Sequence, residues 1–112
     1  MSFQEMNVDS GRGIQEYLRK CGFDAMATSP DTSQNVIRIP CMVSFNWKAR
    51  AKQIRLNCKK EAMIVIEQKT KLRHIDNGVG DSTHEFSFLL ETFEDFSNAV
   101  EALKVYIENY EG

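Results

Sequence analysis

The feature that most constrains the fold is a change of hydrophobic period along the chain. From residue 24 to residue 90 apolar side chains recur mainly at every second position, with polar turn-forming clusters between the runs. The segments on either side carry the spacing of a helix face instead. Alternation is cleanest over 53–58, where Ile54, Leu56 and Cys58 fall on one side and Arg55 and Asn57 on the other, with Lys59 continuing the polar side. Such a segment buries one face and wets the other, as antiparallel sheets do.

Before the alternating region, Ile14, Tyr17, Leu18 and Cys21 recur at helical spacing. Asp9 or Ser10 is placed to cap the helix, and Gly22 to end it in the left-handed conformation, with Phe23 folding back as closure. After it, Thr92 can cap a second helix with Glu94 and Asp95 in its first turn. Phe93, Phe96, Val100, Leu103, Ile107 and Tyr110 form its apolar stripe. Residues 1–9 lack a sustained period and read as a frayed lead-in.

Within the alternating region, residues 24–28 are expected to form a weak strand. Residues 29–35 form a polar loop, and residues 36–47 one longer strand that Pro40 bends or confines to an edge. Residues 59–61 read as a tight turn. Residues 62–75 read as one long strand or a bent pair, central in the sheet because Met63, Ile64, Val65 and Ile66 are apolar on both faces. Asn77-Gly78 marks a hairpin turn, and residues 84–90 give a last strand with Phe86, Phe88 and Leu90 inward. For 44–53 the pattern leaves strand, bulge and short helix open. The order predicts an α+β two-layer sandwich: an antiparallel sheet of four or five strands, with an N-terminal and a C-terminal helix on one face.

With 112 residues and 42% hydrophobic side chains, the chain suits a single domain spanning 1–112, large enough to form a core without metal or disulfide. No apolar run of membrane length or secretory leader pattern is present. Three cysteines, Cys21, Cys41 and Cys58, form no C-x-x-C pair. Each has apolar neighbours, so the expectation is core packing in a reducing, cytoplasmic compartment.

The formal charge of −2 conceals strong segregation. Residues 1–47 carry a net charge of −1, residues 48–75 carry nine Lys/Arg against two Asp/Glu, and residues 76–112 one against nine. If residues 62–75 run as one strand, Lys69, Lys71 and Arg73 line up on a single face. Lys48, Arg50, Lys52, Arg55 and Lys59 then extend the positive stripe, with Trp47 and Phe45 at its margin.

Constellations for chemistry are sparse. His74 and His84, with Asp76, Asp81 and Glu85, flank one loop and would suit a metal only if that loop brought them together, and no His-x-His or His-x-x-x-His spacing occurs. Gly78-Val79-Gly80 precedes a strand rather than a helix, so it serves a turn and not a phosphate cradle. Asp76-Asn77-Gly78 lacks the remaining positions of a calcium loop. The expectation is a non-catalytic binding module, an adaptor, inhibitor or regulatory domain without cofactor. It makes protein contact through Trp47, Lys48, Arg50, Lys52, Arg55, Lys59, Lys69, Lys71 and Arg73, and homo-oligomers are possible. The alternative is a nucleic-acid-binding domain on the same face, with Trp47 or Phe45 stacking on bases.

Overall fold

The computed structural model describes residues 2–27, 36–75 and 86–109. Its elements are α1 (Gly11–Lys20), β1 (Met26–Ala27), β2 (Val36–Ile39), β3 (Val43–Lys48), β4 (Gln53–Cys58), α2 (Lys60–Lys69), β5 (Phe86–Leu90) and α3 (Phe93–Glu108). All neighbouring strands pair antiparallel and lie in chain order, β1-β2-β3-β4-β5. The result is the expected α+β two-layer sandwich with five strands, and with helices near both ends of the chain. No described helix is long and apolar enough to cross a membrane.

The terminal helices form for the reasons visible in their sequences. Ser10 Oγ accepts from the Gly13 N–H and Thr92 Oγ from the Asp95 N–H, each satisfying a donor that the first helical turn leaves unpaired. Gly22 sits at φ 98°, beyond the end of α1, where a side chain would be strained. The Phe23 N–H returns to the Leu18 carbonyl at 3.0 Å.

One sheet face carries the core. Ile37, Phe45, Leu56 and Phe88 are paired across β2 to β5 and are at most 1% exposed. Phe96 of α3 meets Phe45 edge-on at 5.5 Å, and Tyr17 of α1 packs on Phe93 and Phe96 at 5.3 and 5.2 Å. Helix α3 thus lies on the apolar sheet face, with α1 against one flank and α2 against the other.

Four expectations are corrected. Residues 62–75 are not a strand: α2 occupies Lys60–Lys69, so the turn expected at 59–61 is instead the start of this helix. Ala62, Met63 and Ile66, which it buries, share one helical face, while Ile64 is 39% exposed on another. A short apolar run has no period of its own, and β-branching costs a helix only tenths of a kcal/mol per residue, about 0.5 at most. Burial against the core outweighs that. Secondly, the strand expected at 36–47 is two strands joined by a three-residue turn, with Ile39 opposite Val43. Pro40 opens the turn, and Cys41 and Met42 hold φ of 71° and 60°. Thirdly, Cys41 therefore lies in this turn, half-buried rather than in the core, whereas Cys58 is fully buried.

Fourthly, the lead-in is folded. Ser2 and Glu5 exchange side-chain-to-backbone hydrogen bonds at 3.2 Å each, and the Val8 N–H donates to the Phe3 carbonyl at 3.0 Å. Phe3 and Val8 are buried at 5% and 1% exposure. The segment left open at 44–53 resolves as β3, a turn over 49–52 with Lys52 at φ 52°, and β4.

Candidate functional site: the open face of the sheet

Because side chains alternate across a strand, the register that seals Phe45 and Leu56 under the helices turns their neighbours outward. Met26, Arg38, Ser44, Asn57 and Ser87 form one cross-strand row on the outer face. Val36, Asn46, Arg55 and Leu89 form the next, and Lys48 with Gln53 begins a third. Among the described residues these rows hold three cations, several amides and hydroxyls, and no carboxylate, while Asp24, two residues before Met26, lines a depression with Met26 and Arg38 at the β1 edge. Strand spacing and rise place the α-carbons of Arg55 and Lys48 about 8 Å apart and those of Arg55 and Arg38 about 12 Å apart.

Arg55 lies across the sheet rather than standing away from it. Its Nε and Nη2 donate to Ser87 Oγ at 3.3 and 3.2 Å, and that hydroxyl donates to Asn57 Oδ1 at 2.6 Å. Ser87 is consequently 2% exposed although it belongs to the face without helices. The chain of hydrogen bonds fixes a positive charge near the middle of the surface and supplies the partners a buried hydroxyl requires. Lys48, Arg50 and Arg55 line one shallow groove at the β3–β4 end, together with Asn46, Gln53, Leu89 and part of Trp47.

The remaining residues expected at the interface are dispersed. Lys52 lines a separate cleft with Phe3, Asp9, Trp47, Glu91 and Thr92. Lys59, immediately before α2, lies at another depression with Cys41, Met42, Glu61 and Tyr106. Lys69 and Lys71 share a cleft with Glu94 and Asp95 of α3, so they sit beside the acidic layer and not on the sheet. Arg73 folds over the end of α2, its Nη1 donating to the carbonyls of Glu67, Thr70 and Leu72 at 3.2, 3.4 and 2.7 Å. Of the eight expected cations, Lys48 and Arg55 lie on the sheet face and Arg50 beside them in the β3–β4 turn, and Arg38 joins them. Alternation between Ile37 and Ile39 already marked Arg38 as outward.

Neither aromatic is placed to stack on a base. Phe45 is fully buried against Phe96, and Trp47 is 8% exposed with Phe3 edge-on at 5.5 Å. Both point to the helical side. Burial raises the Cys41 thiol above its ordinary value, which works against thiolate reactivity there.

His74 has a structural engagement. Its backbone N–H donates to Glu67 Oε2 at 2.9 Å, its ring Nδ1 lies 2.8 Å from the same oxygen, and the ring meets Phe86 edge-on at 5.3 Å. The strap from α2 then reaches the outer edge of β5, where the Ile75 N–H donates to the Ser87 carbonyl at 2.8 Å. Asp76, Asp81, His84 and Glu85 lie outside the described residues, and among the described residues no group of three His, Cys, Asp or Glu side chains converges as metal ligands would.

The backbone hydrogen bond from His74, and then its side chain, hold the Glu67 carboxyl below its usual value. A depressed carboxyl stabilises the fold above its unfolded value, about 4.3, and loses that contribution as pH falls through the lower folded value. Glu67→Gln is therefore expected to cost under about 1 kcal/mol at neutral pH, with the difference from the parent closing on acidification below about pH 4. Urea midpoints at neutral and acid pH measure this, and a difference independent of pH would remove Glu67 from the strap's anchorage.

No family model, curated protein or solved structure matches the chain.

Proposed function

We propose that this chain is a non-catalytic binding module, working as an adaptor, inhibitor or regulatory domain through its open sheet face, and that the partner is a protein surface bearing carboxylates. The observation that carries this reading is the placement of Arg38, Lys48 and Arg55 on one sheet face, with no carboxylate in the described cross-strand rows and Asp24 beside Arg38 at the β1 edge. The acidic residues of α3 lie on the opposite layer, so the domain carries a dipole that orients an approaching anionic partner. Burial of Phe45 and Trp47 favours a protein over single-stranded nucleic acid, because base stacking needs an open ring. Free thiols at Cys21, Cys41 and Cys58 fit a reducing compartment.

The test is capture from a lysate of the source cells by immobilised chain. Reversal of Arg38, Lys48 and Arg55 to Glu is expected to release the captured protein, while reversal of Lys69, Lys71 and Arg73 leaves it bound. Equal release by both sets would withdraw the sheet face as the contact. Single-stranded RNA bound at low salt, with a log-log salt slope of several units, would favour the nucleic-acid alternative instead.

A further inference from the structure

Helix α3 presents a pattern that the open sheet face complements. At about 100° per residue, Glu94, Asn98, Glu101, Val105 and Glu108 fall within an arc of roughly 80°, opposite the side that buries Phe96, Ala99 and Leu103. All five are exposed. The three carboxylates recur every seven residues, about 10.5 Å apart along the axis. One step of that repeat matches the roughly 8 and 12 Å from Arg55 to Lys48 and Arg38. Glu94 and Glu108, about 21 Å apart, exceed the roughly 14 Å between Arg38 and Lys48, so two neighbouring carboxylates meet the cations at once.

Lys104 falls to the side of this crest, the exposed cation Lys20 belongs to α1, and Lys69 and Lys71 line the cleft beside Glu94 at the N-terminal end of the crest. They repel a cationic sheet. An approaching sheet is thereby confined to the C-terminal part of the α3 crest, where Val105, 41% exposed between Glu101 and Glu108, offers an apolar contact for Leu89, 36% exposed, beside Arg55.

We propose that one partner of the open face is a second copy of this chain, whose α3 crest docks on the sheet with Glu101 and Glu108 against Arg55 and Lys48. This rests on the proposed use of the sheet face and names an occupant for it. The two surfaces lie on opposite layers of one molecule, so the contact is heterologous and propagates head to tail instead of closing as a two-fold dimer. In each contact a second helix covers the bare side of the sheet. Exposed ion pairs contribute little energy individually, so the association is weak, rises with concentration and is screened by salt.

Sedimentation equilibrium of the full chain is the test. At low ionic strength, on the order of 0.05 M, the weight-average mass is expected to rise with concentration above the 12.9 kDa monomer. At roughly ten times that ionic strength it falls back toward the monomer. The triple variants R38Q/K48Q/R55Q and E94Q/E101Q/E108Q each remove one half of the contact, and each is expected to remain monomeric while keeping the parent's far-UV circular dichroism. Mixed together they retain one intact crest and one intact sheet, and are expected to stop at a one-to-one pair. Should a triple variant fail to fold, the single variants E101Q and K48Q take its place, each weakening association several-fold. A parent that stays monomeric at low salt, or a mixture that forms no pair, overturns the second copy as occupant. If sheet reversal still releases a captured protein in that case, the broader reading of the face stands; if it does not, both fall.

Discussion

Replacing Phe45 by alanine is expected to destabilise the fold by about 3–5 kcal/mol, a large share of the roughly 5–15 kcal/mol available to a domain of this size. The ring is fully buried, meets Phe96 at 5.5 Å with planes 86° apart, and lies between Ile37 and Leu56 in the ladder. The neighbouring substitution Asn46→Ala changes the outer face, and its expected effect is within about 0.5 kcal/mol. Urea midpoints of the two variants, with unchanged slopes, therefore assign the faces of β3 directly. A slip of β3 by one residue would carry Lys48 into the core along with Asn46. A cost below about 1 kcal/mol for Phe45→Ala would mean that Phe45 faces solvent, and Lys48 would leave the cationic surface with it.

The same alternation explains what was legible beforehand and what was not. β4 coincides with the cleanest alternating segment, and α1 and α3 start at their capping residues, because those signals are local and no tertiary contact opposes them. α2 was hidden because Ile64, Val65 and Ile66 are β-branched, and only contact with the rest of the fold selects the helical face of Ala62, Met63 and Ile66. The turn after β2 was hidden for a different reason: Cys41 and Met42 adopt positive φ without the glycine or asparagine that announces it. For the candidate site the consequence was selective. Lys48 and Arg55 lie in β3 and β4, where alternation held, and remained on the outer face. Lys69, Lys71 and Arg73 depended on period two continuing beyond residue 60, and they moved to the helical side when it did not.

Gly13→Ala should give the second large effect, although the substitution would ordinarily favour a helix by about 1 kcal/mol. A β-carbon at this position would stand 2.0 Å from the Asn7 carbonyl oxygen and 2.9 Å from its carbon, both backbone atoms. No rotamer relieves that clash. Either α1 shifts away from the sheet or the N-terminal turn lifts, and lifting is the cheaper response because the turn is held chiefly by the buried side chains of Phe3 and Val8. Returning those two to water costs about 1.5–3 kcal/mol each, so after the helical gain a net loss of at least about 2 kcal/mol is expected. The movement has its own optical signal. Phe3 packs edge-on against Trp47, the chain's one tryptophan, so release of the turn uncovers the indole and shifts its emission to longer wavelength. Phe3→Ala should reproduce the red shift without the backbone clash. Unchanged emission and undiminished stability in Gly13→Ala would show that the N-terminal turn does not rest on α1.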